Sequence, residues 1–406
     1  MTQRLLGYVF VVVAVVLVSA AIYWGGARRD VPIVFSPTQI LGSTWTQYKK
    51  YYIEPTSGRT LDPSRQNVTT SEGQSYTMLR AVWQDDKATF DSSWKWTKDN
   101  LRRPNDRLSS WLFGPRADGT YGVLTDQGGE NNASDADTDI TMALIFAYAR
   151  WQDKNYLGDA RVIARDLWNQ DVIYINGTPY MTADSVEKTS KNPNATINVS
   201  YLSPAAYRMF ATIDPDHPWQ QLINSSYALI DKTLTEPIDK SQSVGLPPDW
   251  VLINKTTGAL STPTASGQTT NFSYDALRLP YRLALDYEWY QDPRDKDLLS
   301  KMHYLTDAWK TNHSLASIYT HDGTVVDPTE NAAMYGGSMG YFAVVDPAVG
   351  KDVYETKLQY LFNPDLDSWK QVLSYYDDNW AWFGIGVYNR VLPNLFASLP
   401  VQLYEL

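Results

Sequence analysis

The 406-residue chain contains no cysteine. Disulfide staples, thiolate metal sites and a cysteine nucleophile are thereby excluded, although that absence alone does not fix the compartment. Histidine is scarce. His217, His303, His313 and His321 are scattered without metal-ligand spacing, and no metal or other cofactor is expected. Basic residues are outnumbered, 35 Lys and Arg against 45 Asp and Glu, and no long basic run occurs. Phosphate neutralisation needs clustered cations, so no nucleic-acid partner is expected. Strand signals are sparse, as at Asp171 to Ile175 and Thr324 to Val326, and no βαβ alternation appears. There is no G-x-S-x-G elbow, Walker loop, H-E-x-x-H motif or G-x-G-x-x-G after a strand.

What the chain has is apolar mass, aromatic rings and acids. Its hydrophobic content of 43% can bury a sizeable core. The 28 Tyr and 15 Trp are mostly expected in that core, yet they also suit sugar binding, because flat rings cover pyranose faces and Tyr hydroxyls reach the rims. From Leu5 to Trp24 no charged residue occurs, long enough to span a bilayer as a helix. We read 1–29 as a signal-anchor segment, against a cleaved signal peptide ending near Val18-Ser19-Ala20. Arg4 on one side and Arg28 and Arg29 on the other leave orientation open. The sequons at Asn67, Asn132, Asn194 and Asn198 fit an exported chain but also arise by chance.

After a polar linker at 30–37, helical periodicity predicts helices over 39–54, 72–84, 88–102, 133–151, 157–169, 204–213, 219–234, 274–290, 295–311 and 351–362. Residues 38–406 read as one all-α domain of helical hairpins closed on themselves; with no strict repeat, an open solenoid is disfavoured.

Three segments can carry chemistry. Glu72, beside Gly73, is placed at a helix start, where a reactive carboxyl and an ordinary first-turn acid look alike. Asp135, Asp137 and Asp139 open the helix over 133–151, with Ser134 or Asp135 as its expected cap. Ile140, Ala143, Leu144, Ala147 and Trp151 then form a core face from which the acidic end projects. An EF-hand reading fails, because Ile140 stands where Gly is needed and Phe146 where the bidentate Glu belongs. In Tyr274-Asp275-Ala276-Leu277-Arg278, Arg278 can orient Asp275 or simply form an intrahelical ion pair.

Taken together, Ala133-Ser134-Asp135-Ala136-Asp137 with Ile140, Ala143 and Trp151, the upstream Ser71-Glu72-Gly73-Gln74-Ser75-Tyr76 and the downstream Ser273-Tyr274-Asp275-Ala276-x-Arg278-x-Pro280 closely resemble glycoside hydrolase family 8. Gly245-Leu246-Pro247-Pro248-Asp249-Trp250 lies between them, as a similar Pro-Asp-Trp does in that family. The resemblance implies an (α/α)6 barrel and an inverting endo-glycosidase of a β-1,4-linked glucan or related exopolysaccharide. It further implies Glu72 as general acid and Asp275 as general base, with Asp135 holding the sugar at the cleavage point. Tyr274 and Arg278 would support the base, Trp111 would stack a sugar ring, and Tyr375 and Tyr376 would line the cleft. The Asp275 context places the chain with the cellulase-like subgroup, whereas chitosanases often take their base elsewhere. The anchor and the lack of a carbohydrate-binding module suggest a cell-surface housekeeping hydrolase, with an exopolysaccharide export complex as a further expected partner. The alternatives are a hydrolase of amino-sugar polymers and a catalytically silent polysaccharide-binding subunit.

Overall fold

The computed structural model describes residues 35–399. In chain order the helices are α1 (Pro37–Tyr52), α2 (Ser71–Trp83), α3 (Lys87–Asn100), α4 (Ser134–Trp151), α5 (Lys154–Asp171), α6 (Ser185–Thr189) and α7 (Pro204–Ile213). There follow α8 (Trp219–Thr235), α9 (Leu279–Tyr290), α10 (Pro293–Lys301), α11 (Tyr304–Asn312), α12 (Ala332–Val344), α13 (Pro347–Val353) and α14 (Tyr375–Tyr388). Helices α2, α4, α7, α9, α12 and α14 are buried over most of their circumference. Each packs on the next, and the last returns to the first: Tyr76 of α2 stands edge-on to Trp380 of α14 at 5.8 Å between centroids. The buried Arg80 Nη1 also donates to Asp378 Oδ1 at 2.8 Å.

Around this ring lie amphipathic helices whose single apolar stripe faces inward. In α5, for example, Leu157, Ala160, Ile163, Ala164, Leu167 and Trp168 are buried at three- and four-residue intervals. Inner helices have no exposed polar stripe; their polar residues, such as Arg80, Asp135 and Asp139, are buried and paired.

An all-α reading needs correction in the loops, which carry five small antiparallel sheets among the described residues. In one, β1 (Thr69–Thr70) pairs with β2 (Leu112–Pro115), which pairs with β3 (Tyr121–Val123). The others are β4 (Val172–Ile175) with β5 (Thr178–Met181), β6 (Asn194–Ile197) with β7 (Val251–Asn254) and β8 (Leu260–Ser261), and two short hairpins. The fold is therefore mostly helical. Other boundaries also move. The helix expected over 295–311 is two, α10 and α11, and the one expected over 351–362 is α13 followed by a π-helical turn at Tyr354–Leu358. Helices α12 and α14 have no counterpart in the sequence reading.

Among the described residues no helix is long and apolar enough to cross a membrane. The expected span over 5–24 and the whole of segment 1–29 lie outside the described residues, as does most of the linker. Asn132 and Asn198 are buried, which removes both as open glycan acceptors; Asn67 is exposed.

Candidate active site

The N-terminal ends of α2 and α4 and the turn that leads into α9 converge on one guanidinium. Glu72 is the second residue of α2 and Asp135 the second of α4, while Asp275 leads into a 3-10 turn, Ala276–Arg278, that runs directly into α9. Arg278 is buried to 1% exposure. Its Nη1 donates to Glu72 Oε2 at 2.5 Å and to Asp135 Oδ2 at 3.1 Å, its Nη2 donates to Asp275 Oδ1, and its Nε reaches Ser200 Oγ at 3.1 Å. Three carboxylates far apart in the chain thus meet one fork of donors. The expected ion pair of Asp275 with Arg278 is present, and it is one limb of a larger cluster.

Each carboxylate is held differently. Asp275 receives Trp250 Nε1 on its other oxygen, Oδ2, at 3.0 Å. Asp135 is buried, and its Oδ1 has no partner among the described residues. Glu72 keeps 23% of its side chain exposed, yet burial pushes its pKa up to about 7; Arg278 opposes the rise, and the charges of Asp135 and Asp275 add to it. Burial likewise raises Asp135. Next to Glu72, a Cβ on Gly73 would lie 2.6 Å from Tyr375 Oη, so only glycine lets that ring sit over the helix start.

The three acids that open α4 have separate fates, because a helix turns about 100° per residue. Asp135 and Asp139 share the face toward the ring centre, where Asp139 pairs bidentately with Arg282 at 2.8 and 3.0 Å, one turn below Arg278. Asp137 faces the opposite way, accepting Ser109 N at 2.9 Å, and burial raises its pKa to about 8. The expected projection of the acidic end is corrected: all three acids are buried. Neither expected cap forms. Ala133 is the N-cap, Ser134 Oγ donates to Thr182 O, and Asp135 is committed to Arg278.

Aromatic residues flank the cluster on both sides. Pairing of Thr70 with Leu112 brings Trp111 to the start of α2, where Ser71 N donates to Trp111 O at 3.1 Å. Trp111, Asn131, Glu187, Tyr201 and Trp250 line a cavity of about 240 Å³. On the other side Tyr274, 46% exposed, stands edge-on to Tyr376 at 6.1 Å. The Tyr274 hydroxyl accepts a bond from Asn331 Nδ2 at 3.4 Å, while its carbonyl accepts the Tyr376 hydroxyl. Asn331 also borders a second cavity, of about 420 Å³, with Tyr335, Lys357, Tyr360, Ser374 and Asp377.

The family description "Glycosyl hydrolases family 8" matches residues 17–380. The chain belongs to glycoside hydrolase family 8. This family 8 protein is 35% identical over 239 residues to a probable endoglucanase of Novacetimonas hansenii, covering 58% of this chain and 64% of that protein. It is 31% identical over 283 residues to endoglucanase A of Acetivibrio thermocellus, covering 68% of this chain and 53% of that protein. The matched regions thus span between half and two thirds of those relatives. Among solved structures, the endo-β-1,4-glucanase CMCax of Acetobacter xylinum superposes with a TM-score of 0.68 at 25% identity, covering 88% of this chain and 99% of that one. The endo-1,4-D-glucanase of Vibrio fischeri gives 0.70 at 27%, covering 85% and 94%.

Sequence reasoning named Glu72, Asp135, Asp275, Arg278, Trp111, Tyr274, Tyr375 and Tyr376, and all stand in or beside this cluster. It assigned no role to Tyr201 or Ser200. Trp250 and Asp249 were visible only as part of the Pro-Asp-Trp segment.

Proposed function

We propose that this family 8 protein is an inverting endo-glycosidase of a β-1,4-linked glucan or related exopolysaccharide, working outside the cell from an N-terminal anchor. The closed ring of helices inside amphipathic ones is read as an (α/α)6 barrel with its cleft at the inner N-termini. The observation that carries the reading is the Arg278 cluster. One guanidinium fixes Glu72 and Asp275, contributed by separate elements, while Glu72 holds its proton up to about pH 7.

The chemistry follows from the contacts. Arg278 occupies Glu72 Oε2, leaving Oε1 to carry the proton to the glycosidic oxygen. The oxygens of Asp275, fixed by Arg278 and Trp250, have lone pairs left to take a proton from the attacking water. In an inverting enzyme that water sits between the base and the anomeric carbon. The unpartnered Asp135 Oδ1 accepts a sugar hydroxyl, and Trp111 offers a stacking face.

Glu72→Gln and Asp275→Asn are each expected to lower hydrolysis of carboxymethylcellulose by about 10³-fold or more. Near wild-type rates in either variant would refute the roles. NMR of the first-formed anomer is expected to show inversion, and retention would refute it. A second reading, an amino-sugar polymer, is favoured by the acids around both cavities: Asp184 and Glu187 line one, and Asp377 and Glu330, the latter paired with Lys357, line the other. It is distinguished by faster cleavage of chitosan than of glucan, with a rate that falls steeply with salt. Wild-type polymer binding without any cleavage would instead favour a silent binding subunit.

A further inference from the structure

Behind the Asp275 carboxylate lies a second acid. Asp249 is buried to 4% exposure, and its Oδ1 accepts the backbone amides of Ser273 at 3.2 Å, Asp275 at 3.1 Å and Ala276 at 2.7 Å. Its Oδ2 accepts the Ser273 hydroxyl. The same short segment holds the loop from above. Asp249 N donates to Asn271 O at 2.6 Å, Trp250 N to Thr269 O at 3.0 Å, and the Trp250 indole to Asp275 itself.

The helix expected from 274 starts only at Leu279, after a 3-10 turn over Ala276–Arg278. Asp249 holds the amides of the turn before the helix, Pro280 has no N–H to bond back to Ala276 O, and Phe272 is tied to Tyr319 by a reciprocal pair of backbone bonds. The backbone that carries Asp275 is therefore set by Asp249, which has no exposed face of its own toward the cleft.

We propose that Asp249 is the positioning residue of the base: by gathering three amides and one hydroxyl it fixes where the Asp275 carboxylate meets Arg278, Trp250 and the attacking water. This rests on the reading of Asp275 as base. Four donors on one carboxylate favour its charged form, whereas burial and the neighbouring Asp275 charge push its pKa up to about 7. The donors fix its orientation.

The test compares two substrates. A polysaccharide needs both acid and base, whereas β-cellobiosyl fluoride has a leaving group that needs little protonation and still needs the base to activate water. Asp249→Asn keeps an oxygen for the three amides, and its kcat on polysaccharide is expected to fall about tenfold; Asp249→Ala is expected to fall about 10²–10³-fold. Both should lose as much on the fluoride, as Asp275→Asn does, while Glu72→Gln recovers there. Added to a Glu72→Gln background, Asp249→Asn should leave the Kd for cellohexaose within about twofold. Recovery of the Asp249 variants on the fluoride, a loss of cellohexaose affinity with unchanged kcat, or wild-type rates would overturn the proposal. Should Asp249→Ala fail to fold, Asp249→Asn carries the comparison. If Asp275→Asn is inactive while the Asp249 variants are normal, only the positioning role falls; an active Asp275→Asn removes the base assignment as well.

Discussion

Glu72 and Arg278 bear opposite relations to burial. For Glu72, desolvation outweighs the nearby cation, so the proton stays on up to about pH 7. An acid catalyst acts in its protonated form. The turnover of soluble polymer is thus expected to fall as pH rises through about 7, and the limb should vanish with a fluoride leaving group. The same shift has a consequence for stability. The unfolded chain releases this proton near the ordinary carboxylate pKa and the folded chain near 7, so between these values folding loses stability as pH rises. Glu72→Gln removes that loss and is expected to be more stable than wild type near pH 7 by on the order of 1 kcal/mol, measured by urea denaturation. Arg278 is the reverse case. Its charge answers three carboxylates, and lysine cannot span them with one ammonium. Arg278→Ala is expected to cost about 3–5 kcal/mol, because it leaves buried acids without a cation, and to abolish activity.

At the level of elements, packing alone did not decide legibility: α5, with one apolar stripe, and the buried α2, α4 and α7 were all readable within a few residues, whereas the outer α10 and α11 were read as one helix. Helices α12 and α14 were not readable, because they are apolar all round and punctuated by glycine. The structure supplies the reason for those glycines. A Cβ at Gly336 would lie 2.0 Å from Trp380 O, and one at Gly340 2.2 Å from Pro280 O, so backbones touch where side chains would hold them apart. Gly336→Ala should lower the thermal midpoint markedly, with a cost of about 1–3 kcal/mol despite the better helix propensity of alanine. The acids of the cluster and Arg278 stand in recognisable short segments. That those segments meet at one guanidinium was not readable, because hydrogen bonds between residues 72 and 278 leave no local periodic trace. The caps of α4 were misjudged for a related reason: Asp135 had a stronger partner than its own helix.

At the scale of the whole molecule, the compact unit starts at Pro37, and a protein beginning at residue 35 is expected to keep the full chain's kcat on soluble polymer. Sedimentation with membranes should distinguish the two proteins, and a drop in kcat for the shorter one would refute its independence. The ring itself is closed by residues from opposite ends of the chain. Arg80 and Asp378 are 298 positions apart, and Arg80 is wrapped on its remaining sides by the rings of Tyr48 and Trp382. A ribosome adding roughly 5–20 residues per second needs on the order of 15–60 s to deliver the partner after Arg80 has emerged. Throughout that interval α2, with Glu72 at its tip, has no sixth helix to lean on, and its apolar flank stays open to water or to a chaperone. The surroundings of Glu72 are therefore complete only once the last helix has joined the ring.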